Sequence, residues 1–403
     1  MDQPRHRRQL WIDADPSGLV WTGLDCDDDL AILAAQGLEA AGEATVAGLS
    51  ICAGNAPLLH TWENAKTLQS VANFHWNLSK GAGWNTMQPA WASLRTLARC
   101  IDEEESSDAA EAIIRAAAAL PARSLTVLCL GPPSNLARAL RRAPWLAEHL
   151  EMAVLMGGEL TQSRLDLNFM TDRAAAREIL ASSLPTMLVP IQTCAQVAVT
   201  PAWLRRVEQC PPRAVARRIL PKMRLQTWFM PKLVNRRVKA QALPGRPTSP
   251  GLQSGFIPWD LVALLATSRP HLFSWDVWAV ELPSCERSLG EPCDGTMRST
   301  LLQSNVSAHE TSRLAANAAL IPWIRVEEGA VLEQMLELLC SVHGSGPETR
   351  LQLGFLPQLS LAALLILAAI ASAARVCTAL CAKLVSRMRP PNIHGPSKQE
   401  KTD

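Results

Sequence analysis

The chain has no tyrosine and only six phenylalanines, against thirteen tryptophans. Aromatic roles therefore fall almost entirely on indoles, and so biased a composition reduces what any single Trp can argue. Cysteine pattern is also missing. Eleven cysteines are scattered without a CxxC pair, an odd set that reads as reduced thiols and excludes a zinc site or a disulfide framework. Charge of one sign is lacking too: 39 basic against 37 acidic side chains leave a formal net charge of +2, so no global field argues for a nucleic-acid partner. No apolar run follows the basic Arg5-His6-Arg7-Arg8 to make a signal peptide, and the expectation is a cytoplasmic catalytic domain. No internal repeat is found.

What is present is apolar and alternating. With 48% hydrophobic residues in 403, the chain can bury a full core as one large domain or two ordinary ones. Ala44–Ile51, Leu125–Leu130, Ala153–Met156 and Met187–Ile191 read as buried strands. His60–Phe74, Asp108–Leu120 and a segment capped by Ser134 and running to Arg142 read as helices. Uninterrupted apolar strands between helices imply a mainly parallel, open α/β sheet covered on both faces.

The acids stand out against this background. Asp13, Asp15, Asp25, Asp27, Asp28 and Asp29 follow the apolar Leu10-Trp11-Ile12 and precede an apolar helix opening at Leu30-Ala31-Ile32-Leu33. So many carboxylates repel one another unless a cation sits among them, and hard oxygen ligands suit calcium or magnesium. The end of a first strand is also where open α/β sheets place their sites. A solvated acidic turn is the bland alternative, and the apolar packing on both sides argues against it.

Several separated segments complete a pattern. They are Asp13-Ala14-Asp15-Pro16, Asp27-Asp28 with Leu30-Ala31-Ile32-Leu33, Ala53-Gly54-Asn55, Leu130-Gly131-Pro132-Pro133-Ser134-Asn135, Met156-Gly157-Gly158, Asp166-Leu167-Asn168 ahead of Asp172, and Trp259-Asp260. In order and spacing, from about residue 10 to 343, the chain resembles the inosine-uridine-preferring nucleoside hydrolase family. The resemblance implies a calcium-dependent N-ribohydrolase cleaving ribonucleosides to base and ribose. It implies Asp15 as calcium ligand and general base, with Asp28, Asp260 and the Leu130 carbonyl as further ligands. It gives Asp27, Asn55, Asp166 and Asn168 to the ribose. The chain departs from the family pattern in three places. Nine residues, Gly18 to Cys26, intervene between Ser17 and Asp27-Asp28, and either the loop bulges outward or Asp25 or Asp29 takes a ligand role. Asp166 stands where Glu is usual. Trp259 replaces a histidine that acts on the leaving base in many members, which resembles the purine-specific branch and favours a purine stacked on indole, with Trp84 or Trp91 as a second ring.

The rest of the chain divides by composition. Arg213 to Arg246 carries ten Lys/Arg with three prolines and reads as a solvated helical excursion, a phosphate-binding surface, or one wall or a lid of the site. Residues 344–350 read as a linker, and 351–403 as an apolar helix followed by a basic tail. Within it, 359–374 is either a membrane anchor near the lower spanning length or a buried terminal helix. The expected partner is a small-molecule ribonucleoside, and homo-oligomerisation stays open. Two other classes fit less well. A dehalogenase-like phosphatase shares Asp-x-Asp but leaves Asn55 and Trp259-Asp260 without roles. An EF-hand fails because its twelfth position is Leu24 rather than Glu. A degenerate nucleoside-binding protein tethered to a membrane is the alternative function.

Overall fold

The computed structural model describes residues 7–19, 25–87, 108–161, 166–211, 215–282, 297–307 and 314–342. The proposed linker, the apolar segment 359–374 and the basic tail lie outside them. Among the described residues, no helix is long and apolar enough to cross a membrane.

Nine strands form one sheet: β1 (Arg8–Ala14), β2 (Ala44–Ile51), β3 (Leu78–Lys80), β4 (Leu125–Cys129), β5 (Met152–Met156), β6 (Thr186–Val189), β7 (Phe273–Glu281), β8 (Arg298–Val306) and β9 (Ala318–Ile324). Their spatial order is β3-β2-β1-β4-β5-β6-β9-β7-β8. The strands from β3 to β9 pair in parallel, and β7 and β8 add an antiparallel edge. This is the mainly parallel open sheet that the alternating sequence predicts. Burial follows from the period of two: Leu10 and Ile12 of β1 join the core on one face, whereas Trp11 joins the core on the other. Each face is roofed by helices because both are apolar.

Eight helices matter to the site or its support: α1 (Asp27–Ala40), α2 (Leu58–Ala72), α3 (Asp108–Ala118), α4 (Ser134–Arg142), α5 (Arg173–Ala181), α6 (Ala216–Met230), α7 (Trp259–Ser268) and α8 (Glu328–Cys340). Two expectations are corrected here. Asp27, Asp28 and Asp29 do not precede a helix but form the first turn of α1, where the unpaired N–H groups and the positive end of the macrodipole favour carboxylates. Ser134 does not cap α4: it is the first helical residue, and its hydroxyl donates to Asp172 Oδ2 at 2.6 Å. Asp172 in turn caps α5 by accepting from the Ala175 N–H.

The reading of the cysteines as a wholly reduced set is also overturned. Cys210 and Cys340 are disulfide-bonded, 130 residues apart in sequence and 5.2 Å between Cα atoms. The pairing was invisible because it arises from packing: the helix Pro201–Glu208 lies against α8, bringing their C-terminal ends together. Cys26, Cys52, Cys129 and Cys194 are free and buried.

The strand order reverses direction between β1 and β4, since the chain builds outward to β3 on one side and to β9 on the other. Such a switch point opens a crevice at the carboxyl ends of the two strands. Asp13 and Asp15 stand at the end of β1, and Leu130 at the end of β4.

Candidate active site

Asp13, the last acidic residue within β1, is buried and acts as an internal tie. Its Oδ1 accepts from Ser50 Oγ at 2.6 Å and from Asn135 Nδ2 at 2.7 Å, while Asn135 Oδ1 accepts from the Ala82 N–H at 2.8 Å. Two residues on, Asp15 sits in a tight seat. Its Oδ2 accepts from the Asn55 N–H at 2.6 Å, and its own N–H donates to Asp28 Oδ1 at 3.0 Å. A side chain at Gly54 would run into Asp15 Oδ2, and a Cβ at Gly131 would lie 2.6 Å from Oδ1. Glycine at both positions is what allows two loops to close on this carboxylate.

Asp28 Oδ2 accepts from Asn55 Nδ2 at 3.0 Å. Asp27, Asp28 and Asp260 each offer an oxygen, and these oxygens all lie within 4.8 Å of one another. Asp260 comes from the first turn of α7 and the other two from the first turn of α1. The two helices pack together, which carries Asp260 across more than two hundred residues of sequence. Asp15 is not one of the three, although its charge raises the pKa of Asp28 and of Asp260.

On the far side of the crevice, Asn168 Nδ2 donates to the Leu130 carbonyl at 2.5 Å and to the Met156 carbonyl at 3.1 Å. Asp166 Oδ2 accepts from the Gly158 N–H at 2.7 Å. Gly157 and Gly158 both hold positive φ, 151° and 85°, which Gly adopts without the penalty a Cβ brings. Trp259, half-buried, opens α7 beside Asp260. Trp84 lies in a short 3-10 turn, Trp84–Thr86, and Trp91 falls outside the described residues.

The inserted stretch is pinched at its neck. Ser17 Oγ donates to the Asp25 carbonyl at 3.0 Å, and the Gly18 N–H donates to Asp29 Oδ2 at 2.8 Å. Asp29 Oδ1 is taken by Asn64 Nδ2 at 2.6 Å. Asp25 Oδ1 accepts from the N–H groups of Cys26 and Asp27. Both acids offered as alternative ligands are thus engaged in holding the loop ends.

The electrostatics follow from so much buried acid. Burial is the main reason that Asp27, Asp28 and Asp260 are raised well above the ordinary carboxylate range, with neighbouring aspartate charges adding to it. Burial also lifts Asp15 to about 7, against the Asn55 hydrogen bond that lowers it. Asp166 is pushed to about 7 and Asp13 to about 6, in both cases chiefly by burial. A divalent cation among the acids would reverse this balance, since its charge favours every ionised carboxylate around it. Three buried oxygens of one chemical type fit a hard cation.

Residues 10–321 match the model of the inosine-uridine preferring nucleoside hydrolase family. The chain belongs to that family. The structure of a plant nucleoside hydrolase is similar at a TM-score of 0.61 with 18% identity, covering 83% of this chain and 99% of that one. A purine-preferring ribonucleoside hydrolase from Gardnerella vaginalis gives 0.57 at 18% identity, with the same shares. An inosine-uridine preferring nucleoside hydrolase from Bacillus anthracis gives 0.56 at 13%, covering 83% and 100%. These likenesses are of fold. In sequence, an uncharacterised protein of Schizosaccharomyces pombe is 26% identical over 95 residues, 22% of this chain and 31% of that protein. The Shigella boydii protein RihB, whose name describes a pyrimidine-specific ribonucleoside hydrolase, is 29% identical over 89 residues, 21% of this chain and 37% of its own. The chain thus spans about a third of the length of these curated relatives.

For this nucleoside hydrolase family member, the sequence reading named the acids but not the residues that hold them. Asn135 lay inside a quoted motif without a role, and here it joins Asp13 to the end of β3. Asn64 and Gln226 carried no signal: Asn64 acts from α2, and Gln226 from α6, inside the basic stretch that reads as a solvated helical excursion.

Proposed function

We propose that this chain hydrolyses the N-glycosidic bond of ribonucleosides, with purines favoured, and that it does so with a calcium ion. The observation that carries the reading is the convergence of Asp27, Asp28 and Asp260 at the sheet's switch point, in a chain matched to the family across the segments that supply them. Asp28 and Asp260 would hold the ion. Asp15, one hydrogen bond from Asp28, and the Leu130 carbonyl complete the ligands that the family resemblance gives. Calcium, when bound, orients a water and lowers its pKa.

The chain's own residues supply the rest. Asp15 takes the proton from the attacking water, a role open to its ionised form, which a cation among the acids favours. Cleavage builds positive charge on the ribose in an oxocarbenium-like transition state. A ring of fixed carboxylates stabilises that charge as it develops, without reorganising. Asp27, Asn55, Asp166 and Asn168 hold the sugar hydroxyls. Asp166 is one methylene shorter than the usual Glu, and its carboxylate already accepts from backbone N–H groups, that of Gly158 at Oδ2 among them. Trp259 cannot donate a proton to the departing base. It offers a face on which a purine stacks, and a purine protonated at N7 stacks more strongly through cation–π attraction.

Turnover of inosine, guanosine, adenosine and uridine by the full chain, with calcium and with EGTA, tests the reading. Release of ribose from a purine nucleoside that is abolished by EGTA and restored by calcium is the expected result. Calcium binding without release of any base overturns it and leaves a nucleoside-binding protein.

A further inference from the structure

We propose that Gln226 is a positioning residue for the Asp27–Asp28 pair, acting through the turn that starts α1; this rests on the ion-binding reading above. Gln226 lies on α6, within the basic stretch Arg213 to Arg246, and its side chain is fully buried. Its amide is used at both ends. Nε2 donates to Asp25 Oδ1 at 2.6 Å, and Oε1 accepts from the Cys26 thiol at 2.7 Å. The same Asp25 oxygen also accepts from the Cys26 N–H at 2.8 Å and the Asp27 N–H at 3.4 Å.

One glutamine thus grips the two residues immediately before Asp27. Cys26 is the N-cap of α1, and no side chain caps the helix at that position. The entry angle of the first turn is therefore set by Asp25 folding back on the Cys26 and Asp27 N–H groups, and Gln226 fixes where Asp25 can go. Turning this entry moves Asp27 and Asp28 together, because they are consecutive residues of one helical turn. Lys222, one turn earlier on α6, is half-buried and interacts electrostatically with Cys26, Asp29 and Asp25, so the helix meets the acidic turn at two successive levels. The buried face of the basic stretch is a wall of the acid loop, whatever its exposed arginines do.

The grip also accounts for a feature of the sequence. The insertion from Gly18 to Cys26 separates Asp15 from the acid pair, removing the short covalent link that would otherwise set their register. A hydrogen-bonded anchor from a distant helix replaces that link. Partners that orient ligands without touching the ion commonly change metal affinity by about 10- to 100-fold when removed.

Calcium titration calorimetry on the chelator-treated full chain is the test, run with kinetics on a purine nucleoside. Gln226→Leu keeps the volume and removes both hydrogen bonds, Gln226→Glu sets a carboxylate against Asp25, and Arg218→Ala on the exposed face of the same helix is the control. The expected result is a calcium Kd raised about tenfold or more for both Gln226 variants, with the control at the wild-type value. kcat at low calcium should fall and recover at saturating calcium, with the nucleoside KM there within twofold of wild type. Unfolding in EGTA separates this from a packing role: a lowered midpoint with an unchanged calcium Kd overturns the proposal. Should Gln226→Leu not fold, Gln226→Asn, whose amide falls one methylene short, carries the same prediction. Wild-type protein that takes up no calcium overturns the ion reading itself, whereas wild-type binding with unaltered Gln226 variants overturns this inference alone.

Discussion

At the scale of single residues, the site is a study in placing one charge next to several others. Asp15 is held by the Asn55 N–H and flanked by glycines that leave it no room to turn. Asp15→Asn keeps the shape and the hydrogen bond to Oδ but removes the base. It is expected to lose at least about a hundredfold in kcat with an unchanged far-UV circular dichroism spectrum, and near-wild-type turnover would remove Asp15 from the role. Trp259→Ala removes a stacking face that contributes about 1 kcal/mol beyond its area. The purine KM should rise severalfold while uridine, with its smaller ring, suffers less; equal losses on both substrates would contradict stacking. The sequence made most of these residues legible through the order and spacing of several motifs, since Asp, Asn and Gly singly are ordinary turn residues. It left Gln226 and Asn64 unread, since a buried amide on a helix looks like any other core position until its partner is known.

Elements decide which acids can meet. Two helices, α1 and α7, begin at the same place and each contributes its first turn, so carboxylates distant in sequence share one pocket. The strands β1, β2, β4, β5 and β6 were readable from their apolar runs, and β2 has the limits expected of it, whereas the short β3 and the buried β9 were not anticipated. Helix starts were less readable: the first turn of α1 is polar and buried, so periodicity alone put it in the preceding loop. That burial has a measurable consequence. The folded pKa of Asp166 and Asp15 is about 7, and that of Asp13 and Asp29 about 6, against an ordinary 3.8. For carboxyls raised in this way, the folded state binds more protons than the unfolded chain. Their stabilisation is full below pH 3.8 and is lost as pH rises through 6 and 7. In EGTA, the unfolding midpoint should therefore drop between pH 5 and pH 8, and calcium should restore much of it at pH 8 by pairing with the ionised acids. A midpoint independent of pH over that range, without calcium, would contradict the burial of these groups as ionisable acids.

For the molecule as a whole, the open parallel sheet and its switch point could be anticipated from alternation alone, and the family resemblance from motif order. The antiparallel edge, β7 with β8, had no comparable signal, because exposed strands such as β8 lack the continuous apolar run that marks a buried one. The Cys210–Cys340 bond was likewise beyond reach of spacing, as it depends on how two helices dock. Closing a loop of this size restricts the unfolded chain by about 5 kcal/mol in the chain-entropy account. Reduction with dithiothreitol, or Cys340→Ser, should lower the thermal midpoint by several degrees while leaving kcat unaltered, since the bond ties helix C-terminal ends and the acids sit in the first turns of α1 and α7. An unshifted midpoint would mean that the bond contributes nothing to stability.

The Ser17–Asp25 pinch separates two properties that a shorter loop would tie together. With both ends of the excursion fastened to the scaffold, each doubling of what lies between them costs only about 0.6 kcal/mol in closure entropy. A change in the length of that stretch therefore costs little, and the fastened ends keep the acids in register.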